Sequence, residues 1–280
     1  MQASSTWQLR SRTLDFSGGA AVMGILNVTP DSFSDGGKFY TPSQAVDQAL
    51  RMEDAGADIL DVGGESTRPY SEPVSADDEV ARIEPVLSAL QGRCSIPVSI
   101  DTSKSQVAKV AIELGAEILN DVTGLEGDEA MPELAAKTGV GVCAMHMQGT
   151  PQTMQDAPTY DNAVADILDY LRRRDVALLA VGIAPARICL DPGIGFGKTH
   201  DHNIALLRNA ATFHQLGRPI LVGHSRKGFI GKLIGDKSSN RMAGSLAISV
   251  VLAQAGIQVI RVHDVAETRQ ALTCMQACSE

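Results

Sequence analysis

The sequence predicts a single-domain (β/α)8 barrel, and three observations carry that expectation. Short β-rich apolar runs alternate with amphipathic helical patterns along all 280 residues. One segment type recurs as AGADILDV (55–62), LGAEILNDV (114–122) and AGIQVIRVHDV (255–265): a helix end, a glycine, two residues, a short apolar strand, then polar residues. No Pro-, Gly- or Ser-rich linker divides the chain. Near-continuous apolar strands that each lead into a helix indicate a parallel sheet covered on its outer face. Eight such units in this length fit a closed barrel better than a doubly wound sheet.

The strands are expected at 21–27, 59–62, 97–100, 118–120, 140–145, 188–190, 220–222 and 258–262. Residues 1–19 precede the first of them and read as an extension or hairpin. The first helix opens with Thr41 as N-cap and Pro42 at its first position, buries Ala45, Val46, Ala49 and Leu50, and stops at Gly56. The second opens at Ser75 with Asp78 three residues on, a capping-box pattern, and is expected to bury Val80, Ile83, Leu87 and Leu90.

Composition bounds the function. The chain is 44% hydrophobic and 20% charged, which is ordinary for a globular protein, and its formal charge of −9 argues against nucleic-acid or anionic-membrane binding. No apolar run approaches the roughly 20 residues of a membrane span. The opening MQASSTWQLRSRT has no apolar stretch suited to a signal peptide. The five cysteines form no C-x-x-C, and Cys143 and Cys189 sit in apolar runs where buried thiols are expected. The cytosol is the expected compartment.

Barrel enzymes build their sites at the C-terminal ends of the strands. Here those exits carry Asn27, Asp61 (with Thr67 and Arg68 in the following loop), Asp101, Asn120, His146, Asp191, Ser225-Arg226-Lys227, and Arg261 with His263. An aspartate after a strand is commonly a helix N-cap, and a histidine near a core is commonly a satisfied core residue. A full ring of such groups is harder to explain that way, because crowding charge around one mouth does nothing for the fold. Arg68, Lys227 and Arg261, joined by His263 if protonated, form a cationic set in an acidic protein, which suits phosphate or carboxylate. Asp101, Asp191 and Asn120 suit a planar heterocycle edge carrying parallel N–H donors. The ligand so described is bipolar.

DPGIGFGKT (191–199) ends like a phosphate-binding loop, but that motif needs glycine where Pro192 stands, and G-x-G-x-x-G is also missing. His200 and His202 lack H-E-x-x-H spacing and are expected on a solvated loop. Two polar, glycine- and proline-containing loops, 27–40 and 63–75, are longer than usual βα connections and suit lids over a substrate.

These stretches carry a resemblance. MGILNVTPDSFSDGG (23–37), DVGGESTRP (61–69), SIDTSK (99–104), LND (119–121), LDPGIGFGK (190–198), SRKGFIG (225–231) and RVHDV (261–265) resemble, in order, the motif set of the dihydropteroate synthase family. The resemblance implies a (β/α)8 barrel, usually a homodimer, that joins 6-hydroxymethyl-7,8-dihydropterin diphosphate to p-aminobenzoate with Mg²⁺. By the same resemblance Asp101, Lys227 and Asp35 would serve catalysis, and Asp101, Asn120, Met145, Asp191, Phe196, Lys227 and Arg261 would hold the pterin. Asn27, Thr67, Arg68, Arg261 and His263 would meet the diphosphate, with Asn27 on the metal. Phe33, Thr67, Pro69, Lys227 and Ser225 would surround p-aminobenzoate. Tyr70 and Gly228 depart from the family's common glycine and serine. A pterin-binding methyltransferase barrel would share the carboxylate–amide pocket but would not need the diphosphate residues, and a silent folate-binding paralogue would not need the site intact.

Overall fold

The computed structural model describes residues 4–29, 41–236 and 240–279. A short hairpin, β1 (Thr6–Gln8) and β2 (Thr13–Asp15), precedes the barrel. The barrel strands are β3 (Ala21–Asn27), β4 (Ile59–Gly63), β5 (Val98–Asp101), β6 (Ile118–Asp121), β7 (Gly141–Met145), β8 (Ile188–Asp191), β9 (Leu221–Gly223) and β10 (Val259–Val262). All pair in parallel in the order β8-β7-β6-β5-β4-β3-β10-β9, and a parallel bridge between Leu190 and Ile220 closes the ring. Each expected strand is therefore present, with ends shifted by a residue or so. Among the described residues no helix is long and apolar enough to cross a membrane.

The outer helices are α1 (Pro42–Asp54), α2 (Ala76–Leu90), α3 (Ser105–Glu113), α4 (Met131–Thr138), α5 (Ala163–Ala180), α6 (His200–Arg208), α7 (Gly228–Leu233), α8 (Met242–Gln254) and α9 (Val265–Ala277). Their starts follow the local chemistry. Thr41 precedes α1 in extended conformation, and its N–H donates to Gln44 Oε1 at 3.1 Å. Ser75 Oγ accepts from the Asp78 N–H at 3.1 Å and caps α2. Gly56, at φ +92°, ends the turn after α1. Two details differ from the periodicity. Met52, not Leu50, completes the buried face of α1, and α2 buries Val86 and the carboxylate-bearing Glu79 while Val80 stays half-exposed. His200 and His202 also differ from expectation: they form the first turn of α6, where Thr199 Oγ1 accepts from the His202 N–H at 3.2 Å.

Strand side chains alternate between the helix-facing surface and the lumen. The helix-facing set, including Val22, Leu60, Ile100, Leu119, Val142, Leu190, Val222 and Ile260, makes the main core with the helices. The lumen is filled by Met23, Ile59, Ile118, Cys143, Cys189, Leu221 and Val259, with Ser99 at the same level of β5. Cys143 and Cys189 stand opposite each other in register as free thiols, and the hydrogen bond with Cys189, then burial, holds the Cys143 thiol well above its usual pKa.

The hairpin seals this lumen from the N-terminal side. Trp7 and Leu9 join the lumen cluster, and Trp7 Nε1 donates to the Arg187 carbonyl at 2.9 Å. Arg12 pairs with Glu117 at 2.8 Å, and Ser11 donates to the same carboxylate through N and Oγ. Gly141 permits this approach, because a Cβ there would lie 2.8 Å from Leu9 Cδ2. Trp7→Ala should destabilise the protein by about 3–5 kcal/mol, read as a lowered urea midpoint. A change under about 1 kcal/mol would mean that the hairpin is not part of the cooperative core.

Candidate active site

The site is the next layer up the same lumen. Two residues beyond each lumen residue the alternation returns to the same face, leading from Ile59, Ser99, Ile118, Cys143, Cys189 and Val259 to Asp61, Asp101, Asn120, Met145, Asp191 and Arg261. All but Arg261 are buried, and the Arg261 side chain is only 17% exposed. One register step separates a largely apolar plug from a layer of polar groups. Gly63, level with Asp101 across the β4–β5 pairing, leaves room there; a Cβ on it would have both Asp101 and Asn27 Oδ1 within 4 Å.

Arg261 organises the layer. Its Nε donates to Asp61 Oδ2 at 2.5 Å and its Nη2 to Asp101 Oδ2 at 2.6 Å. Asn120 Nδ2 donates to the same Asp61 oxygen at 3.1 Å. Burial works against the Arg261 charge, but Asp61 and Asp101 outweigh it and hold its pKa above the usual guanidinium value. Asp101 is pushed up to about 7 by burial, with Arg261 opposing and Asp61 and Glu79 adding to the rise. Its Oδ1 is buried without a hydrogen-bond partner among the described residues. The folded protein thus holds an Asp101 proton that the unfolded chain releases near pH 4. This group favours folding at low pH and loses that contribution as pH rises through about 7.

The β8 exit forms the opposite wall. Asp191 Oδ1 accepts from the Gly193 N–H at 2.7 Å, and burial raises its carboxyl pKa. Gly193 and Gly197 have φ near +70° and +63°, and a Cβ on either would strike the backbone of His146 or Gln148. The glycine-rich stretch is thus a close seam against the β7 exit, not a phosphate cradle. Lys198 is buried in that seam, donating to the Phe196 carbonyl at 2.8 Å and standing 3.0 Å from His146 Nδ1. Burial, then the Lys198 charge, brings His146 down to about 3. Phe196 is left half-buried under Lys227, whose Nζ sits 4.4 Å from the ring centroid and donates to the Ile194 carbonyl. Gly195 makes space for that lysine, since a Cβ there would lie 2.8 Å from its Cδ. Burial draws Lys227 down to about 7, with the Asp191 charge opposing.

The remaining exits carry His263, Ser225 and Arg226. His263 is no cation: burial, then Arg261 and Arg226, lower it to about 3. It packs on Ser225, with Nδ1 at 3.1 Å from Ser225 Oγ and its N–H donating to that oxygen at 3.2 Å, so Ser225 is buried and engaged. Arg226 does not face the ring; it adopts φ +57° and forms a two-pronged pair with Asp264. Thr67 is half-buried, and Arg68 and Pro69 are exposed on the 63–75 loop, with the Arg68 charge near enough to bear on His263. Met145 is buried at the end of β7, and half-exposed Asn27 ends β3. Phe33 and Asp35 lie outside the described residues. Sequence reasoning singled out neither the Asp61–Arg261 pair nor Lys198. Alternation from Ile59 points to Asp61; the buried lysine has no such signal.

Residues 23–263 match the family model described as pterin binding enzyme. The dihydropteroate synthase of Escherichia coli K12 is 48% identical over 256 residues, which cover 91% of this chain and 90% of that protein. The chain belongs to the dihydropteroate synthase family. Solved structures agree. The Yersinia pestis dihydropteroate synthase in a sulfonamide drug complex superposes with a TM-score of 0.92 at 44% identity, covering 98% of this chain and 99% of that one. The Xanthomonas albilineans dihydropteroate synthase with 4-aminobenzoic acid gives 0.91 at 42%, covering 99% and 98%.

Within the dihydropteroate synthase family, the departure at Tyr70 has a conformational reading. Its φ of +63° is the left-handed region, which glycine enters without strain. Tyr70 is exposed and held by its N–H on the Pro151 carbonyl at 2.9 Å and its hydroxyl on Asp156 Oδ1 at 3.2 Å. At the heart of the site, Arg261→Met should leave Asp61 and Asp101 buried without a cation and cost about 3–5 kcal/mol of stability. The loss should be smaller at pH 5 than at pH 8, because protonation relieves the carboxylate repulsion. Chemical denaturation at the two pH values reads this, and a pH-independent loss would disprove the assigned pairing.

Proposed function

We propose that the chain condenses 6-hydroxymethyl-7,8-dihydropterin diphosphate with p-aminobenzoate to give 7,8-dihydropteroate and diphosphate. The observation that carries this reading is the bipolar mouth: a carboxylate–amide layer of Asp101, Asn120 and Asp191 beneath cationic Arg261 and Lys227 in one lumen. The pterin would lie on that layer, its N–H edge meeting Asp101 Oδ1 and Asp191, with Asn120 on a neighbouring ring atom. Met145 and Phe196 would form apolar walls, Lys227 would reach a ring acceptor, and Arg261 would cover one face. The diphosphate would extend toward Arg261, Arg68, Thr67 and Asn27. Neutral His263 would serve there as a hydrogen-bonding group, not as a charge. p-Aminobenzoate would enter between the loops against Phe33, Thr67, Pro69 and Lys227. Ser225 would act more through His263 than by direct contact.

Asn27 Oδ1 shares the hollow over Gly63 with Asp101, an oxygen donor of the kind Mg²⁺ takes. Bound with the diphosphate, Mg²⁺ would neutralise the leaving group. The methylene carbon–oxygen bond breaks with its electron pair leaving on diphosphate, and the amine lone pair forms the new carbon–nitrogen bond and sheds a proton. Cleavage running ahead of attack places positive charge on the pterin, and ionised Asp101 would stabilise it. Asp35 would complete the closed site.

Self-association fits as a homodimer through α7 and α8. The inner face of α8 carries buried Ser245 and Ser249, while Ala243, Ala247 and Val251 lie outward, and Leu233 and Ile234 at the end of α7 are exposed as well. Val251→Lys should shift the sedimenting species from dimer to monomer, and a parent that sediments as a monomer refutes the assignment.

The activity is tested by diphosphate release with Mg²⁺ and the pterin diphosphate, with and without p-aminobenzoate. Release accompanied by dihydropteroate is expected, and chelation by EDTA should abolish it. Asp101→Asn should lower kcat roughly a hundredfold while pterin affinity changes far less. No release by protein that still binds the pterin diphosphate would overturn the reading.

A further inference from the structure

Outside the polar layer, one lysine stands between two carboxylates that the proposed reaction does not use. Lys104 Nζ lies 2.6 Å from Glu79 Oε2 and 2.7 Å from Glu65 Oε2. The three residues come from different elements: Glu79 from the first turns of α2, Lys104 from the N-terminal boundary of α3, and Glu65 from the 63–75 loop. The Glu79 side chain has no exposed surface, and those of Lys104 and Glu65 are 25% and 18% exposed.

The contacts describe a clamp on the loop. Glu65 Oε1 accepts from the Val74 N–H at 2.8 Å, so one carboxylate joins the two ends of the loop while its other oxygen meets Lys104. Gly64 lies flat on α2, where a Cβ would come within 2.9 Å of both Glu79 Cγ and Ile83 Cγ2. Arg82 Nη1 donates to the Gly64 carbonyl at 2.8 Å. Ser71 Oγ donates to the Ser66 carbonyl at 2.5 Å, and the Ser71 N–H donates to the Arg68 carbonyl at 3.1 Å, so the tip follows the base.

One cation for two carboxylates is a poor way to stabilise a fold, because desolvation offsets much of the attraction. It is a good way to fix a direction, since removing the lysine makes the two anchors repel. Burial raises the Glu79 carboxyl against the pull of Lys104, and the Glu79 charge in turn bears on Asp101.

We propose that Lys104 is a positioning residue for the second substrate: by drawing Glu65 onto Glu79 it fixes the loop that presents Thr67, Arg68 and Pro69. The proposal rests on the reading of that loop as part of the p-aminobenzoate and diphosphate site. Lys104 touches no reacting atom; it acts through the loop.

Lys104→Met should raise the KM for p-aminobenzoate roughly tenfold, as expected for a misplaced binding group, while the Kd for the diphosphate-free 6-hydroxymethyl-7,8-dihydropterin, measured by calorimetry, changes about twofold or less. Amide exchange over residues 64–74 should quicken, a readout that needs no turnover. Glu65→Gln keeps the Val74 bond and an intact Lys104–Glu79 pair; it should move the same quantities less, and it decides the matter if Lys104→Met does not fold. Equal weakening of p-aminobenzoate and of the diphosphate-free pterin, or unchanged exchange in the loop, would overturn the proposal. A parent enzyme that forms no dihydropteroate would sink the proposed activity instead, and the exchange measurement would still judge the clamp.

Discussion

The arrangement of the barrel mouth depends on one guanidinium. Arg261 reaches across the lumen from β10 and is the group that lets Asp61, fully buried on β4, and Asp101, on β5, lie side by side. Two carboxylates at that depth repel each other and lose hydration; a planar donor fork satisfies one oxygen of each in a fixed geometry. Asn120 then takes its orientation from the same Asp61 oxygen. Three strands acquire a common reference through one side chain, and Asp101 Oδ1 is left buried without a hydrogen-bond partner among the described residues.

The opposite wall is set by backbone, not charge. Gly193, Gly195 and Gly197 all have positive φ, and they let the β8 exit press against the β7 exit closely enough to enclose Lys198. Lys198 bonds the seam shut from within, and the outward products are the Phe196 ring and the space that Lys227 fills above it. A rigid ionic side and a rigid glycine side thus face each other, with a half-buried aromatic between them. Preorganised sites of this kind keep their dipoles in place before a substrate arrives.

Much of this layout is legible in the sequence, and the misses share a cause. Continuous apolar runs mark the barrel strands, and the polar residues at the end of each run mark the ring. Roles that depend on neighbours across the barrel are not legible. His263 reads as a possible charge until Arg261 and Arg226 are seen beside its half-buried ring. Arg226 reads as part of the mouth until its left-handed backbone turns it to Asp264. Nothing in the pattern of α2 singles out Glu79, and the approach of Gly64 and Lys104 accounts for its burial. Periodicity describes which face a residue is on; it does not describe what the next element brings to that face.

The charge state of the mouth is set by the same layout. Asp101 and Lys227 are both brought to about 7, from opposite directions and by the same burial. A ligand with an N–H edge and a ring acceptor acts on both: donors on Asp101 favour its ionised form, and an acceptor within reach of Lys227 Nζ favours its protonated form. Below about pH 7 Asp101 is the group still to change, so binding releases a proton. Above it Lys227 is the one, so binding takes a proton up. Burial that weakens each charge alone thereby makes the pair responsive to a bipolar ligand.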